Sequence, residues 1–177
     1  MKLYFVRHGE SEANVLRVFS NRPGKHGLTE TGRQQAAALA AQLHGIIFER
    51  IFASPLLRAQ QTAEILNQNT GAVIETTAAL QEYDLGNLED TSYTVGGTSW
   101  RQTMDAWLLR QEWDLRTGTG ENFHEIRARF EPFVQSLISL YGARPVNILC
   151  VGHGGLYRCM LPIVLGNISF EAARDLP

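Results

Sequence analysis

Cysteine is scarce in this sequence, and the two that occur, Cys150 and Cys159, are too few for a disulfide framework. One lies in a short apolar run and the other in an apolar helical stretch, so we expect both to be buried and reduced. Long apolar runs are absent as well. Arg7 and His8 interrupt the N-terminal one, which argues against a signal peptide, and no segment resembles a membrane span. We therefore expect a cytoplasmic protein without a membrane partner.

The chain also lacks a marked excess of charge of either sign. Its 16 Lys and Arg residues and 18 Asp and Glu residues give a formal net charge of −2, so nothing attracts nucleic acid in general. Hydrophobic residues make up 44% and charged residues 19%, which is typical of a folded globular chain. A length of 177 residues suffices for one domain, and we predict a single domain over 1–177. Any anion must then bind at a local cluster of cations.

Two common kinds of site are missing from the sequence. It contains no Walker-type phosphate loop. Its histidines lack the i, i+4 spacing of a helical zinc pair and have no third ligand clustered with them. We therefore predict an anion site that uses neither a metal ion nor a cofactor.

The sequence does contain an alternation of strand-like and helix-like segments. Short apolar runs predict strands over 2–6, 50–54, 72–76 and 146–151. Apolar residues at helical spacing predict helices over 30–43, 55–68, 99–114, 121–141 and 155–165. This alternation predicts an α/β fold of three layers, α/β/α, in which helices cover both faces of a mainly parallel central sheet.

Individual residues set several of the predicted boundaries. Thr29 is expected to cap the helix that follows it, and Ser54 with Pro55 should start the next helix. Pro132 should kink its helix or mark the true start of that helix, because proline lacks the N–H that a helix interior needs.

Two parts of the chain carry weaker signals. Residues 81–98 read as a loop, and the wider segment 88–120 is predicted to be an insertion that covers the substrate. The chain ends at Pro177, although a sheet of this kind commonly has one more strand. We therefore allow for a C-terminal strand that lies beyond this sequence.

Polar side chains follow three of the predicted strands. Arg7 and His8 follow the first, Ser54 and Arg58 the second, and His153 the last. Ligands bind at the carboxyl ends of strands in open α/β sheets, so two imidazoles and two guanidiniums should share one crevice. Guanidiniums pair with phosphate, while one imidazole can attack phosphorus and the other can stabilise charge. Either histidine alone would be interpreted as a buried core residue. Because both follow predicted strands and lie beside arginines, a shared binding site is the better interpretation.

Five motifs occur in an order that resembles a known family. They are RHGE with Asn14, GLTETGRQQA, SPLLRAQQTA, EYDLGNLE and GHGG. Together they resemble the histidine phosphatase superfamily, in the branch named after cofactor-dependent phosphoglycerate mutase. The resemblance covers nearly the whole chain and implies a phosphoglycerate mutase-like fold.

The resemblance also implies roles for individual residues. His8 would be the nucleophile that becomes phosphorylated, and Glu82 the acid that protonates the leaving group. The groups implied to bind phosphoryl oxygens are Arg7, Asn14, Arg58, His153 and the backbone N–H of Gly154. Asp84 remains a rival for the role of Glu82. Ser20 is a further candidate ligand contact, one that the resemblance supports less because the FSNRPG segment around it departs from the common pattern.

Three functions stay open at this point: hydrolysis of a phosphomonoester, phosphoglycerate mutase-type phosphoryl transfer, and non-catalytic binding of a phospho-ligand. Only 70 residues separate Glu82 from His153, and loops rich in glycine, serine and threonine among them should admit water. We therefore favour a metal-independent phosphatase that acts on a small phosphorylated metabolite. The intact His8, Glu82 and His153 disfavour a binding module. A homodimer is compatible with the sequence, which does not determine the oligomeric state.

Overall fold

The computed structural model describes residues 1–68 and 70–176. Its centre is a sheet of four strands: β1 (Lys2–Arg7), β2 (Phe48–Ala53), β3 (Val73–Thr76) and β4 (Asn147–Gly152). The spatial order is β1-β4-β2-β3, and every neighbouring pair is parallel. The predicted parallel sheet is therefore confirmed, with each strand within two residues of its predicted bounds.

The register of the sheet brings three strand ends together. In β4, Val151 pairs with Val6 of β1 on one side and with Ala53 of β2 on the other. The backbone pairing continues past the strands, because the N–H of His8 donates to the Gly152 carbonyl and the N–H of Ser54 to the Val151 carbonyl. The residues that follow these three strands therefore emerge at one edge of the sheet.

Helices occupy both faces of the sheet. They are α1 (Glu12–Leu16), α2 (Glu30–Gln42), α3 (Leu57–Asn67), α4 (Tyr93–Asp105), α5 (Phe123–Tyr141), α6 (Gly154–Leu165) and α7 (Phe170–Arg174). Side chains of β4 alternate between two buried clusters: Ile148 and Cys150 pack with α4, α5 and α6, and Leu149 and Val151 pack with α3. This alternation, which follows from the two-residue period of a strand, produces the three predicted layers.

The predicted helix starts hold in part. Thr29 caps α2, since its hydroxyl accepts the N–H of Gly32 at 3.0 Å. The start predicted at Pro55 is wrong by two residues. The hydroxyl of Ser54 accepts the N–H of Leu56 at 3.2 Å and holds a turn, so α3 begins only at Leu57. Pro132 does not mark a helix start, because α5 runs without interruption through it.

The predicted loop over 81–98 is also wrong at its C-terminal end. α4 begins at Tyr93, six residues before the predicted helix, and continues as a π-helical turn over Ala106–Arg110. Gly96 and Gly97 disguise this helix in the sequence, because glycine is a poor helix former. The ring of Phe19 packs against Gly96, and a Cβ at Gly96 would lie only 2.8 Å from this ring. Tertiary packing therefore stabilises α4 despite its low helix propensity at these glycines.

Both cysteines are free and buried, as predicted. Within the described ranges, no helix combines the length and the apolar character that crossing a bilayer requires.

Candidate active site

A cavity of about 480 Å³ opens at the carboxyl edge of the sheet. Seven of the eight predicted site residues line it: Arg7, His8, Asn14, Ser20, Arg58, Glu82 and Gly154. The eighth, His153, is fully buried beside it, with its ring centroid 5.0 Å from that of His8. The structure therefore brings together residues that are as far apart as 147 positions in the sequence.

The imidazole of His8 is held by both of its nitrogen atoms. Nδ1 lies 2.6 Å from the carbonyl oxygen of Gly9, and Arg58 Nε donates to Nε2 at 3.0 Å. These partners assign the ring proton to Nδ1 and leave a lone pair on Nε2. Burial, together with the positive charges of Arg58 and Arg7, lowers the pKa of His8 to about 3. At neutral pH this side chain is thus an uncharged base.

His153 is neutral for a similar reason. Burial, followed by the nearby His8 and Arg58, holds its pKa well below the ordinary value. Its Nε2 atom lies 2.7 Å from the hydroxyl of Ser54, which also accepts the N–H of Leu56. The other ring nitrogen, Nδ1, is buried and lacks a hydrogen-bond partner within the described residues. An unpaired buried polar atom is costly unless a ligand atom bonds to it.

Arg58 is a buried guanidinium, with only 4% of its surface exposed. Its Nη1 donates to the Ser20 carbonyl at 2.7 Å, and its Nε is bonded to His8. No carboxylate forms an ion pair with it anywhere in residues 1–68 and 70–176. Burial is the main cause that lowers its pKa, opposed by the charge of Glu82. A buried cation without a carboxylate partner is stabilised by an anionic ligand.

Further hydrogen-bond donors line the same cavity. The Asn14 carbonyl oxygen accepts from both the N–H and the hydroxyl of Ser11 at 3.0 Å, so the NH₂ group is left for a ligand. Gly154 is the first residue of α6, where backbone N–H groups lack helical partners. A Cβ at Gly154 would meet Arg7 Nε at 3.3 Å, so the exposed Arg7 side chain lies directly over this glycine. The site is therefore built to receive an anion.

Ser20 also lines the cavity, but its hydroxyl is shared. It lies 2.7 Å from His26 Nδ1, while the Ser20 carbonyl accepts from Arg58. Ser20 thus contacts the Arg58 guanidinium through its backbone, and its side chain is one further polar group on the wall.

Glu82 and Asp84, the two candidates for the acid, differ in surroundings. Glu82 lies on the cavity wall, where its carboxyl group accepts the N–H of Gly155 at 2.9 Å and that of Tyr83 at 3.2 Å. Burial raises the pKa of Glu82 despite the opposing charge of Arg58. Burial alone would raise the pKa of Asp84 too, but its bonds with Arg22 and Gly86 lower it. Asp84 does not line the cavity, so the geometry favours Glu82.

A family model for the histidine phosphatase superfamily (branch 1) matches residues 3–177. The chain belongs to this superfamily. Membership agrees with the site, because a neutral histidine among phosphate-binding cations is what phosphoryl transfer through a histidine requires. It supports a phosphatase or a mutase and does not name a substrate.

Some named relatives of this chain are phosphatases and others are mutases. The protein named probable phosphoglycerate mutase GpmB of Enterobacter sp. (strain 638) is 33% identical over 178 residues, covering 98% of this chain and 79% of the relative. The solved α-ribazole phosphatase of Shigella flexneri is 28% identical with a TM-score of 0.78, covering 99% of this chain and 85% of that one. The mycobacterial glucosyl-3-phosphoglycerate phosphatase is 26% identical with a TM-score of 0.79, covering 97% and 82%.

Sequence reasoning did not find every charged residue that lines the cavity. Arg17, Arg101 and Arg158 also line the cavity. Arg158 had a signal, since it follows Gly154 by four residues and so shares its helix face. Arg17 and Arg101 had none, because a sequence does not reveal whether an arginine faces a cavity or bulk water.

Metal ligands were not expected, and the described ranges contain no group of three or more His, Cys, Asp or Glu side chains able to hold a metal ion. The expectation that the protein works without a metal ion stays a prediction.

Proposed function

We propose that this histidine phosphatase hydrolyses the phosphomonoester of a small phosphorylated metabolite through a phosphohistidine at His8. The observation that carries the proposal is the state of His8: a neutral imidazole whose Nε2 lone pair lies 3.0 Å from the Arg58 guanidinium. A phosphoryl group bound to Arg58 would therefore sit beside the atom that attacks it.

In the first step, Nε2 of His8 attacks phosphorus, so that an N–P bond forms as the ester P–O bond breaks. Glu82 gives its proton to the departing alcohol oxygen, for which a raised pKa prepares it. The charge that develops on the phosphoryl oxygens is stabilised by Arg7, Asn14, Arg58, His153 and the Gly154 N–H. In the second step, water attacks phosphorus, the Glu82 carboxylate takes a proton from that water, and His8 leaves as a neutral base.

The cations of the cavity supply the positive charge that a metal ion would bring in other phosphatases. We therefore propose that hydrolysis needs no metal and no other cofactor. The segment 88–120 would cover the bound substrate, a proposal supported by α4, on which Thr94 and Thr98 line the cavity.

Mutase-type transfer is the second candidate, supported by the name of the GpmB relative. The sequence argument against it relied on mobile loops between Glu82 and His153. That argument is weaker than expected, because residues 93–98 belong to α4. Hydrolysis stays our proposal, and the fate of the phosphoryl group distinguishes the two reactions.

A single trapping experiment tests both steps. The protein is mixed with a ³²P-labelled ester in the presence of EDTA. One portion is quenched at once to detect the phosphorylated protein, and a second portion is chased with unlabelled 3-phosphoglycerate in aqueous buffer before it is quenched. We expect base-stable, acid-labile label on the wild type and on Asp84→Asn, none on His8→Ala, and release of the label as inorganic phosphate. Turnover by His8→Ala should fall by several powers of ten, each worth ~1.4 kcal/mol of barrier.

Each measurement in this experiment has a result that would contradict one part of the proposal. Label retained by His8→Ala would remove His8 as the nucleophile. Label that passes mainly to a second phosphoglycerate would establish the mutase, and loss of labelling in EDTA that a divalent ion restores would refute metal independence.

A further inference from the structure

We propose that Glu121 and Arg129 are positioning residues for Glu82, and that their ion pair holds the segment carrying this proton donor from both sides. The inference rests on the proposed function, because Glu82 acts as an acid only in that reaction. It begins with local structure. Glu82 follows a 3₁₀ turn over Ala78–Leu80 and lies in a stretch, 81–85, that forms neither a helix nor a strand. Contacts with the rest of the fold must therefore fix its place.

Arg129 anchors the chain before Glu82. It lies on α5, and its Nη1 atom donates to the carbonyl oxygens of Ala78 and Ala79 at 2.9 and 3.2 Å. Hydrogen bonds from a charged donor are stronger than those between neutral groups. These bonds hold the two residues that lie four and three positions before the proton donor. The guanidinium thus fixes where this segment begins.

Glu121 anchors the chain after Glu82. Its carboxylate Oε2 accepts the N–H of Asp84 at 2.8 Å, and its own backbone N–H donates to the Asp84 carbonyl at 2.9 Å. Both backbone polar groups of Asp84 are therefore bonded to one residue. Because Asp84 lies two positions after Glu82, little of the chain between the two anchors is free to shift.

The ion pair joins the two anchors. Arg129 Nε donates to Glu121 Oε1 at 2.9 Å, and Nη2 donates to Oε2 at 3.2 Å, which is a two-point contact. The two side chains are 21% and 23% exposed, the lowest values among the ion pairs of residues 1–68 and 70–176. The planar fork of arginine lets one group hold a carboxylate and two carbonyls at once. The pair therefore links both ends of the segment 78–84 as one unit.

This segment carries the proton donor to the phosphoryl site. Between the anchors, the side chains of Leu80 and Tyr83 are fully buried, and the Glu82 carboxyl accepts the N–H of Gly155 in the first turn of α6. A general acid works only within hydrogen-bond reach of the leaving oxygen, and a displacement of about 1 Å can cost about 10²-fold in rate. Loss of the ion pair should therefore impair protonation of the leaving group more than attack on phosphorus.

A purely electrostatic role for Arg129 predicts a different result. Burial is the main cause that lowers the pKa of His153, and the charge of Arg129 contributes after His8 and Arg58. Removal of that charge would act at the phosphoryl site, which every ester occupies in the same way in the proposed mechanism. A displaced Glu82 would instead slow those esters whose leaving group needs a proton. The dependence of rate on the leaving group therefore separates the two roles.

The test compares kcat/KM for phenyl phosphate with that for p-nitrophenyl phosphate, since the two esters differ only in a nitro group that makes the leaving oxygen less basic. We expect Arg129→Gln and Glu121→Gln each to lower the phenyl-to-nitrophenyl ratio about tenfold. In the Glu82→Gln background, where the proton is already absent, neither change should lower the ratio further. Arg127→Gln is the matched control, because it breaks the 2.7 Å ion pair with Glu131 on the same helix and should leave the ratio unchanged.

Circular dichroism checks the fold of each variant. Should Arg129→Gln be unfolded, Glu121→Gln decides the question by itself, because it keeps the shape of the side chain. Equal slowing of both esters by the folded variants would overturn the inference, as would a further fall of the ratio in the Glu82→Gln background. An unchanged ratio in Glu82→Gln itself would refute the acid role in the proposed function, and the inference would be refuted with it.

Discussion

At Glu82, a carboxyl group with a raised pKa is tied to the backbone by two N–H groups, and it faces the cavity that holds His8. Glu82→Gln keeps the shape of the side chain and removes the transferable proton. We expect it to slow hydrolysis of alkyl phosphates by about 10²- to 10³-fold, because a basic alkoxide leaves poorly without protonation. Hydrolysis of p-nitrophenyl phosphate should slow by less than about tenfold, because its leaving group needs little help.

Steady-state rates with both esters measure this difference, and Asp84→Asn is the control that should leave the pattern as in the wild type. Equal slowing of both esters by Glu82→Gln would mean that Glu82 acts only as a structural partner of α6, through its bond with the Gly155 N–H. A leaving-group effect in Asp84→Asn would transfer the role to Asp84.

At the level of elements, α2 is fixed by direct backbone contact to residues 9–10, in the loop that follows β1. A Cβ on Gly32, in the first turn of α2, would occupy the space of the Glu10 carbonyl oxygen. The adjacent Gly9 carries the carbonyl that holds His8. We expect Gly32→Ala to lower the free energy of unfolding by at least about 2 kcal/mol, although alanine is the better helix former.

Urea unfolding followed by tryptophan fluorescence measures this loss. Gly97→Ala is the matched control: it lies inside α4, and its nearest contact for a Cβ is 3.9 Å away, at Tyr93. This change should raise the free energy of unfolding by about 0.5–1 kcal/mol. Equal effects of the two substitutions would mean that the contact between α2 and the loop does not constrain the fold.

The same elements explain how much the sequence could predict. The strands were predictable because each is a short apolar run, and β4 is apolar on both faces. The site followed because His8 and His153 come directly after such runs. The start of α4 was not predictable, because Gly96 and Gly97 mimic a loop and only the packing of Phe19 reveals the helix. The positions of Arg17 and Arg101 on the cavity wall were not predictable either, because no local sequence pattern specifies whether an arginine faces a cavity.

For the whole molecule, two buried neutral histidines make stability depend on pH. The folded-state pKa of His8 is about 3, against about 6.5 in an unfolded chain, and that of His153 is lowered as well. Between these values the unfolded chain binds more protons, so the free energy of unfolding falls as pH decreases below about 6.5. Glu82 acts in the opposite sense, since its raised pKa keeps a proton on the folded state, but it is one group against two.

Replacing His8 isolates its contribution to the pH dependence of the free energy of unfolding. We expect His8→Asn to reduce the slope of unfolding free energy against pH by about 1.4 kcal/mol per pH unit between pH 4 and 6. Urea unfolding in phosphate-free buffer measures the slope, with the exposed His44→Asn as a control that leaves it unchanged. Parallel profiles of the wild type and His8→Asn would show that His8 is not kept neutral by the fold.

The first turn of α6 fixes the distance between the proposed phosphoryl site and the proposed proton donor. Gly154 offers its N–H to the phosphoryl group in the proposed mechanism, and the next N–H, that of Gly155, holds Glu82. Because consecutive peptide units of α6 hold the phosphoryl group and Glu82 in this mechanism, a displacement of α6 would move the two groups together. Every phosphomonoester presents its bridging oxygen at the same bond length from phosphorus, whatever the alcohol. This fixed distance therefore suits any phosphomonoester. Selection among alcohols is left to the cavity residues farther from α6, which can change without altering the residues that transfer the phosphoryl group.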